Sequence, residues 1–145
     1  MEIPSLRRET RYGMPAADHI LFNRQYVLGY SYYFRQAKWA LEIVDSANEV
    51  ERSNNFRPDY RIPEMFRADL EDYVNTGLHR GHLVASANKR SLELHNSETF
   101  LLSNMSPQEP DFNTGVWKDL EEAVRDLDEK KRNSWPNYFI KVLSK

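Results

Sequence analysis

Two apolar segments in the first third of the chain predict a β-hairpin. Residues 25–34 (QYVLGYSYYF) are rich in aromatic and β-branched side chains, and residues 37–44 (AKWALEIV) alternate well enough to pair with them. Arg35 and Gln36 lie near the predicted turn. The polar segment from Asn48 to Tyr60 is predicted to be a loop.

The middle of the chain predicts one short helix and two extended segments. The helix spans Pro63 to Tyr73, because proline suits a first helical turn and apolar residues recur at helical spacing. These residues are Met65, Phe66, Leu70 and Tyr73. Leu78 to Ala85 is extended in character, and Thr99 to Ser103 is predicted to be a buried strand that ends at the polar Asn104.

The clearest helix follows Asn113 and Thr114. Its apolar residues share one face, and the charged residues between them are typical of a solvated helix surface. The apolar face consists of Val116, Trp117, Leu120, Val124 and Leu127. Tyr138 to Leu143 predicts a last strand, and 145 residues are enough for one domain, so residues 1–145 are treated as a single unit.

Composition narrows the classes of protein and of site. Apolar residues make up 40% of the chain and charged residues 29%, which is typical of a globular protein. The absence of cysteine excludes disulfides, thiolate zinc sites and cysteine nucleophiles, so any metal must be held by oxygen or imidazole. No apolar run approaches the roughly 20 residues of a membrane span, and the first residues do not resemble a secretory signal. We therefore expect no membrane partner and an intracellular, cytoplasmic protein.

The net charge of −2 argues against a protein that coats nucleic acid through bulk charge, but it leaves room for a local basic site. The segment from Gly77 to Leu92 contains Arg80, Lys89, Arg90 and two histidines, and it contains no acidic residue. This asymmetry indicates a possible basic surface.

The segment His79-Arg80-Gly81-His82 contains the residue types that phosphodiester hydrolysis needs. That reaction requires a base for water and positive charge on the phosphoryl oxygens. Two histidines without a neighbouring carboxylate are more often structural, so the segment alone is a weak motif.

Residues further along the chain strengthen the case for a catalytic site at this segment. Asn113 reads either as a helix N-cap or as a metal ligand. Asn113, Trp117 and Glu121 are spaced i, i+4 and i+8, so a continuous helix would place them along one stripe. An amide with several waters suits Mg²⁺, which takes few protein ligands.

An ordered set of motifs resembles the ββα-metal (His-Me finger) DNA/RNA non-specific endonucleases, and within them the endonuclease G type. The set consists of GLHRGHL at residues 77–83, ETFLLSNMSPQ at residues 98–108, Phe112-Asn113, Trp117 and Leu120-Glu121. The resemblance implies an α+β fold, in which a ββα-metal core lies on an antiparallel sheet with flanking helices. It also implies a domain shortened on its C-terminal side, because family domains continue beyond a strand like residues 138–143.

The resemblance assigns roles to individual residues. His82 would be the general base, and Asn113 would be the direct ligand of a single Mg²⁺, for which Mn²⁺ is expected to substitute. Glu121 would act on the ion through water, and Asn104 would help to hold the site. Arg80 would support the site or contact phosphate.

Two arginines compete for one further role. Arg52 lies about where the family has a phosphate-binding arginine, and Arg57 is close enough to compete for that role. The implied substrates are DNA and RNA, contacted through their phosphates and cut to 5′-phosphate and 3′-hydroxyl ends.

His79 departs from the family pattern, which usually has aspartate at this position in an Asp-Arg-Gly-His motif. Its presence implies weaker activity, an altered metal preference, or an imidazole that replaces the carboxylate as a hydrogen-bonding group. The alternative function is a catalytically impaired nuclease fold that binds nucleic acid or a protein partner.

A homodimer or a larger regulatory assembly is the expected setting, and an effector role in antiviral defence or programmed cell death is a hypothesis.

Overall fold

The computed structural model describes residues 7–131 and 138–142. The chain forms, in order, strands β1 (His19–Phe22), β2 (Tyr26–Ser31), β3 (Gln36–Ile43) and β4 (His79–His82), helix α1 (Glu93–Glu98), strand β5 (Met105–Gln108), helices α2 (Pro110–Thr114) and α3 (Val116–Lys131), and strand β6 (Tyr138–Val142). None of the helices in these two ranges is long and apolar enough to cross a membrane.

The larger sheet has four antiparallel strands in the order β1-β2-β3-β6. The predicted hairpin is confirmed as β2 and β3, and the predicted last strand as β6. Gly29 pairs with Trp39 across the hairpin, where a Cβ on Gly29 would overlap the indole ring. The glycine therefore leaves room for the Trp39 ring to lie against the neighbouring strand.

The main core connects this sheet to the elements that carry the site. Buried residues of β2 and β3, including Leu28, Tyr30 and Ala40, cluster with Leu83 just after β4 and with Trp117 of α3. Burial of this apolar surface fixes β4 and α3 against the sheet.

The smaller sheet pairs β4 with β5 in antiparallel register, with His82 opposite Met105 and Arg80 opposite Pro107. Helices α2 and α3 follow β5 directly, so this part of the chain has the order strand, strand, helix. The predicted α+β class is confirmed.

The predicted helix from Pro63 to Tyr73 is wrong. The segment forms two short 3-10 turns, Glu64–Phe66 and Leu70–Tyr73. Asp69 begins the second turn with a capping box, in which its carboxylate accepts from the Leu70 amide and its own amide donates to Asp72. This local cap competes with one continuous helix, although the apolar spacing is helical.

The predicted strand from Thr99 to Ser103 is also wrong. The Thr99 and Phe100 amides donate to the carbonyls of Asn96 and Ser97, which extends the turns of α1, and Leu102–Asn104 forms a 3-10 turn. The strand begins only at Met105. A short apolar run does not distinguish a strand from a buried turn, which explains the error.

The predicted apolar face of α3 is not the buried face. Trp117 is buried, but Val116, Leu120 and Leu127 are 69%, 48% and 44% exposed, while the polar Asp128 is buried. The helix packs on the core through the face that contains Trp117, and further along the helix this face carries polar residues such as Asp128.

Asn113 does not belong to α3 at all. It lies in α2, so both the N-cap reading and the continuous stripe with Trp117 and Glu121 are wrong. Gly115 separates the two helices, and a Cβ there would lie 2.6 Å from the carbonyl oxygen of Asp111.

Candidate active site

Strand β4 separates the two histidines of the motif. Side chains alternate between the faces of a strand, so Arg80 and His82 share one face while His79 and Gly81 share the other. Gly81 lies opposite Ser106, and a Cβ on it would overlap the side chain of Gln108. The glycine therefore permits close packing of β4 on β5 and leaves Arg80 and His82 on the opposite face.

His82 is fixed through its backbone and its ring. Its carbonyl oxygen accepts a hydrogen bond of 2.9 Å from Nε1 of Trp117 on α3. Its imidazole packs edge-on against Phe100, with ring centroids 4.9 Å apart, and against Phe56 at 5.9 Å. The half-buried histidine therefore has a defined orientation before any substrate binds.

The same two phenylalanines position two arginines. The Arg80 guanidinium lies 3.9 Å from the ring centroid of Phe56, and the Arg52 guanidinium lies 5.1 Å from that of Phe100. Such cation–π contacts hold a charged group at a surface without neutralising it. The aromatic pair thus supports the histidine and both cations.

The histidine and both arginines line one cleft of about 280 Å³, here called the His82 cleft. Five of the residues singled out from the sequence line it together: Arg52, Arg80, His82, Asn113 and Glu121. They come from the loop before β4, from β4, from α2 and from α3. The fold therefore collects residues that are up to 69 positions apart, the separation of Arg52 and Glu121.

Sequence reasoning missed two cationic residues of the His82 cleft, Lys118 and Arg125. They lie three residues before and four residues after Glu121, which is the spacing of one helix face. That spacing is a usable signal, but the sequence pattern predicts a mostly solvated helix face and singles out only Glu121 from it. Four cationic side chains and two carboxylates among the described residues line this cleft, so it is locally basic although the chain carries −2.

The basic segment of the sequence is not the basic region of the structure. Lys89 is buried, where it donates to the carbonyl oxygen of Ile43 at 2.5 Å. Arg90 donates to the carbonyl oxygen of Val50 at 2.6 Å. Among Arg80, Lys89 and Arg90, it is Arg80 that lines the His82 cleft together with His82.

The competition between Arg52 and Arg57 has a geometric answer. Arg57 lies outside the His82 cleft and donates to the carbonyl oxygens of Asn55 and Ser97 at 3.1 and 3.0 Å. Arg52 lines the cleft, where burial lowers its pKa and the nearby Glu121 carboxylate offsets only part of that lowering. Arg52 is therefore the arginine placed to contact a ligand in the cleft.

Asn104 lies in the core and does not line the cleft. Its side chain accepts from the Val84 amide at 2.9 Å and donates to the carbonyl oxygens of Val84 and Thr99 at 3.0 and 2.9 Å. It therefore fixes the chain two residues after His82, and a contact with substrate is excluded by its burial.

Asn113 lies between the two histidines. It lines the His82 cleft, and its Nδ2 is 3.3 Å from Nδ1 of His79 on the other side of β4. With the amide nitrogen donating to His79, Oδ1 of Asn113 is left for another partner.

The donor set of the His82 cleft fits a highly hydrated divalent ion. No cluster of three or more histidine, cysteine or acidic side chains occurs in residues 7–131 and 138–142. The cleft instead offers the Asn113 amide and the Glu121 carboxylate. Oxygen donors in small number suit Mg²⁺, which keeps several waters, better than a metal that needs a full protein cage.

Comparisons with known proteins agree with this picture. Residues 4–139 match the family described as DNA/RNA non-specific endonuclease. The mitochondrial nuclease EXOG of Danio rerio is 36% identical over 130 residues, which cover 86% of this chain and 38% of the relative. Mitochondrial endonuclease G of Caenorhabditis elegans is 36% identical over 143 residues, which cover 91% of this chain and 46% of the relative.

A solved structure, described as the EndoG/EndoGI complex with the mechanism of EndoG inhibition, superposes with a TM-score of 0.79 at 37% identity. The match covers 83% of this chain and 52% of that one. The chain therefore spans less than half the length of the two curated relatives and about half of the solved one. Both curated relatives are named mitochondrial, and the cytoplasmic location stays a prediction.

Proposed function

This chain belongs to the DNA/RNA non-specific endonuclease family, as its resemblance to the endonuclease G type predicted, and we propose that it hydrolyses DNA and RNA phosphodiesters with a divalent cation. We propose Mg²⁺ as the ion, with Mn²⁺ as a substitute. The observation that carries the proposal is the single cleft lined by Arg52, Arg80, His82, Asn113 and Glu121.

His82 is the proposed general base. It takes a proton from the water that attacks phosphorus, and the bond between phosphorus and the 3′ oxygen breaks. The 3′ oxygen leaves and acquires a proton, which gives a 3′-hydroxyl end and a 5′-phosphate end. The packing of the imidazole against Phe56 and Phe100 supports this role, because a fixed base needs no reorganisation at the moment of reaction.

The cationic side chains of the cleft bind the substrate's phosphates. Arg52 and Arg80 are held on aromatic rings, and Lys118 and Arg125 approach from α3. Contacts to phosphate position a polynucleotide without reading its sequence or its sugar, which accounts for activity on both DNA and RNA.

Asn113 would hold the ion directly through its amide oxygen, and Glu121 would hold it through water. When bound, the ion supplies positive charge to a phosphate oxygen and to the leaving 3′ oxygen. Asn104 acts indirectly, by fixing the backbone that follows His82.

Purified protein incubated with plasmid DNA and RNA tests the proposal. We expect cleavage with Mg²⁺ that chelator abolishes, and a loss of at least about 100-fold for His82→Ala, since general-base catalysis contributes about that much or more. The matched control is His95→Ala, which removes a half-buried histidine from α1, outside the His82 cleft. The mechanism would be refuted if cleavage survived the chelator and if His82→Ala also cleaved as fast as His95→Ala.

His79 in place of the family's aspartate favours a second candidate function, an impaired nuclease fold that binds nucleic acid or a protein partner. The same experiment separates the two candidates when a fluorescent oligonucleotide is included. Binding without any cleavage, with either Mg²⁺ or Mn²⁺, supports the impaired fold.

A regulated setting is a further part of the proposal. A similar solved structure holds EndoG in a complex with EndoGI that inhibits it, which supports control of this chain by a protein partner in a larger regulatory assembly. A homodimer and a role in a defence or cell-death system stay predictions. Free degradation of DNA by the purified chain with Mg²⁺ alone, as a monomer in light scattering, would remove the support for this part.

A further inference from the structure

A second cleft, of about 340 Å³, adjoins the His82 cleft and is here called the Tyr73 cleft. Arg80 and Asn113 line both clefts, so these two residues form the boundary between them. The far side of the Tyr73 cleft is built from the segment that leads into β4, with Tyr73, Val74 and Leu78. A ligand whose phosphate meets Arg80 and Asn113 therefore has this cleft beside it.

The lining of the Tyr73 cleft differs from that of its neighbour. Leu70, Tyr73, Val74 and Leu78 supply apolar and aromatic surface, and Val74 is 62% exposed. No carboxylate from the described residues lines it, whereas two line the His82 cleft. Burial raises the pKa of Tyr73, and the neighbouring Tyr30 and Asp72 raise it further, so its phenol stays neutral.

Such a lining suits a flat group with apolar faces and no charge. A nucleobase has these properties, and stacking on aromatic and apolar side chains is a common way to bind one without selecting its identity. The polar groups of the Tyr73 cleft are Arg80, Asn113 and the exposed His79, and the first two form the boundary with the His82 cleft. Binding of a base by stacking on the apolar side would give weak selection among the four bases.

We propose that the Tyr73 cleft binds the base of one nucleotide next to the scissile phosphate, with that base removed from its stack. The inference rests on the proposed nuclease function, because that function places the scissile phosphate at Arg80 and Asn113. An unstacked base costs least in a single strand, so the enzyme prefers unpaired substrate over the same sequence in a duplex.

The test uses short single-stranded oligonucleotides with one ordinary phosphodiester and phosphorothioates elsewhere. One series keeps both flanking bases, and two others replace the base on one side of the cleavable bond with an abasic residue. For the unmodified protein we expect KM to rise about 10-fold when the base on one particular side is missing, within the range measured for loss of one stacked base.

Two variants locate the effect. Val74→Ser and Leu70→Ser remove apolar surface from exposed positions of the Tyr73 cleft, and we expect both to reduce the abasic penalty towards one-fold. The matched control is Leu94→Ser, which removes a 52% exposed leucine from α1 outside the cleft. It should keep the full penalty.

The outcomes separate this inference from the function on which it rests. No cleavage of any oligonucleotide refutes the proposed function. Cleavage with equal KM for all three series overturns the base site alone, and so does a penalty that Val74→Ser and Leu70→Ser leave unchanged. A penalty on one side that both variants reduce supports the base site.

Discussion

Residue 79 contacts Asn113, a residue that lines the His82 cleft, without lining that cleft itself. The His79 imidazole lies on the face of β4 opposite to His82, and its Nδ1 is 3.3 Å from Nδ2 of Asn113. It is therefore not a second catalytic base. It contacts the amide that we propose as the ion's ligand, and it brings no fixed negative charge there.

The change His79→Asp tests this contact. A carboxylate would attract the cation and its waters more strongly than an imidazole, so we expect cleavage at a lower Mg²⁺ concentration. Changes in groups that support a metal ligand typically alter affinity or activity about 10- to 100-fold. The measurement is the Mg²⁺ concentration that gives half of the maximal rate, together with Mn²⁺ affinity by calorimetry.

His79→Asn is the control, because it keeps a small hydrogen-bonding side chain but adds no charge. If His79→Asp needs as much Mg²⁺ as His79→Asn, the missing carboxylate does not limit this enzyme, and the imidazole has a role of its own.

At the scale of elements, a buried polar network connects α3 to the sheet. Nδ2 of Asn88 donates to both oxygens of the Glu42 carboxylate at 3.1 and 3.3 Å. Because a carboxylate only accepts, this fixes the amide so that Oδ1 faces Arg125, whose NH1 donates at 3.2 Å. Lys89 completes the network with Nζ 3.4 Å from Glu42. The hydrogen bond to Asn88 thus orients the Arg125 side chain, which also lines the His82 cleft.

Arg125→Ala should therefore lower activity more than stability. Loss of a fixed cation from the His82 cleft, where we propose that phosphate binds, is expected to reduce kcat/KM by about 100-fold, as for other preorganised charge-stabilising groups. Loss of one hydrogen bond to Asn88 should lower the free energy of unfolding by only about 0.5–1.5 kcal/mol. Steady-state kinetics and urea unfolding measure the two effects.

Lys130→Ala is the matched control, because it removes an exposed cation from the same helix. Asn88→Ala leaves Arg125 in place but removes its orienting partner, and it should reproduce part of the activity loss. Equal activities for Arg125→Ala and Lys130→Ala would contradict a role for Arg125 at phosphate.

The elements also show what the sequence could and could not predict. The β2–β3 hairpin followed from local pattern, because alternation and composition both favour strands there. The buried face of α3 did not, because the docked side combines Trp117 with the polar Arg125 and Asp128 and leaves Leu120 and Leu127 exposed. The break at Gly115 was missed because helical spacing continues across it.

The site residues divide in the same way. His82 and Asn113 were found through ordered motifs, which carry their spacing with them. Arg52 and Arg57 lie in a loop without periodicity, so only their three-dimensional contacts distinguish them. Arg125 could not be distinguished from the other charged residues of its helix, because its orientation depends on a hydrogen bond to Asn88, which is distant in sequence.

At the scale of the whole molecule, Asp59 connects the large sheet to the segment before β5. Its buried carboxylate accepts from Arg61 at Nε (2.8 Å) and NH2 (2.6 Å) and from the Ser103 hydroxyl at 2.7 Å. Arg61 also donates to the carbonyl oxygen of Phe22 in β1 and to Oδ1 of Asn23. Burial raises the pKa of Asp59, but these hydrogen bonds and the Arg61 charge outweigh burial and hold it below its usual 3.8.

The sign of the resulting pH dependence follows from that lowered pKa. A carboxyl group that ionises more readily in the folded state stabilises the fold above its unfolded pKa, and this contribution is lost as pH falls through the folded pKa. Asp59→Asn should therefore lower the free energy of unfolding by about 1.5–3 kcal/mol at neutral pH, the range for hydrogen bonds to a charged group. The difference from the unmodified protein should stay constant down to about pH 5 and shrink below it.

Urea unfolding across that pH range measures the effect, with Asp126→Asn as a control that removes one exposed carboxylate from α3. The control should track the unmodified protein at every pH. If the Asp59→Asn deficit instead persisted unchanged at low pH, it would come from the amide nitrogen of asparagine, which places a donor against the donors of Arg61 or Ser103, and not from loss of the ionised carboxylate. A shrinking deficit identifies the ionised carboxylate as the group that holds the sheet and the β5 segment together.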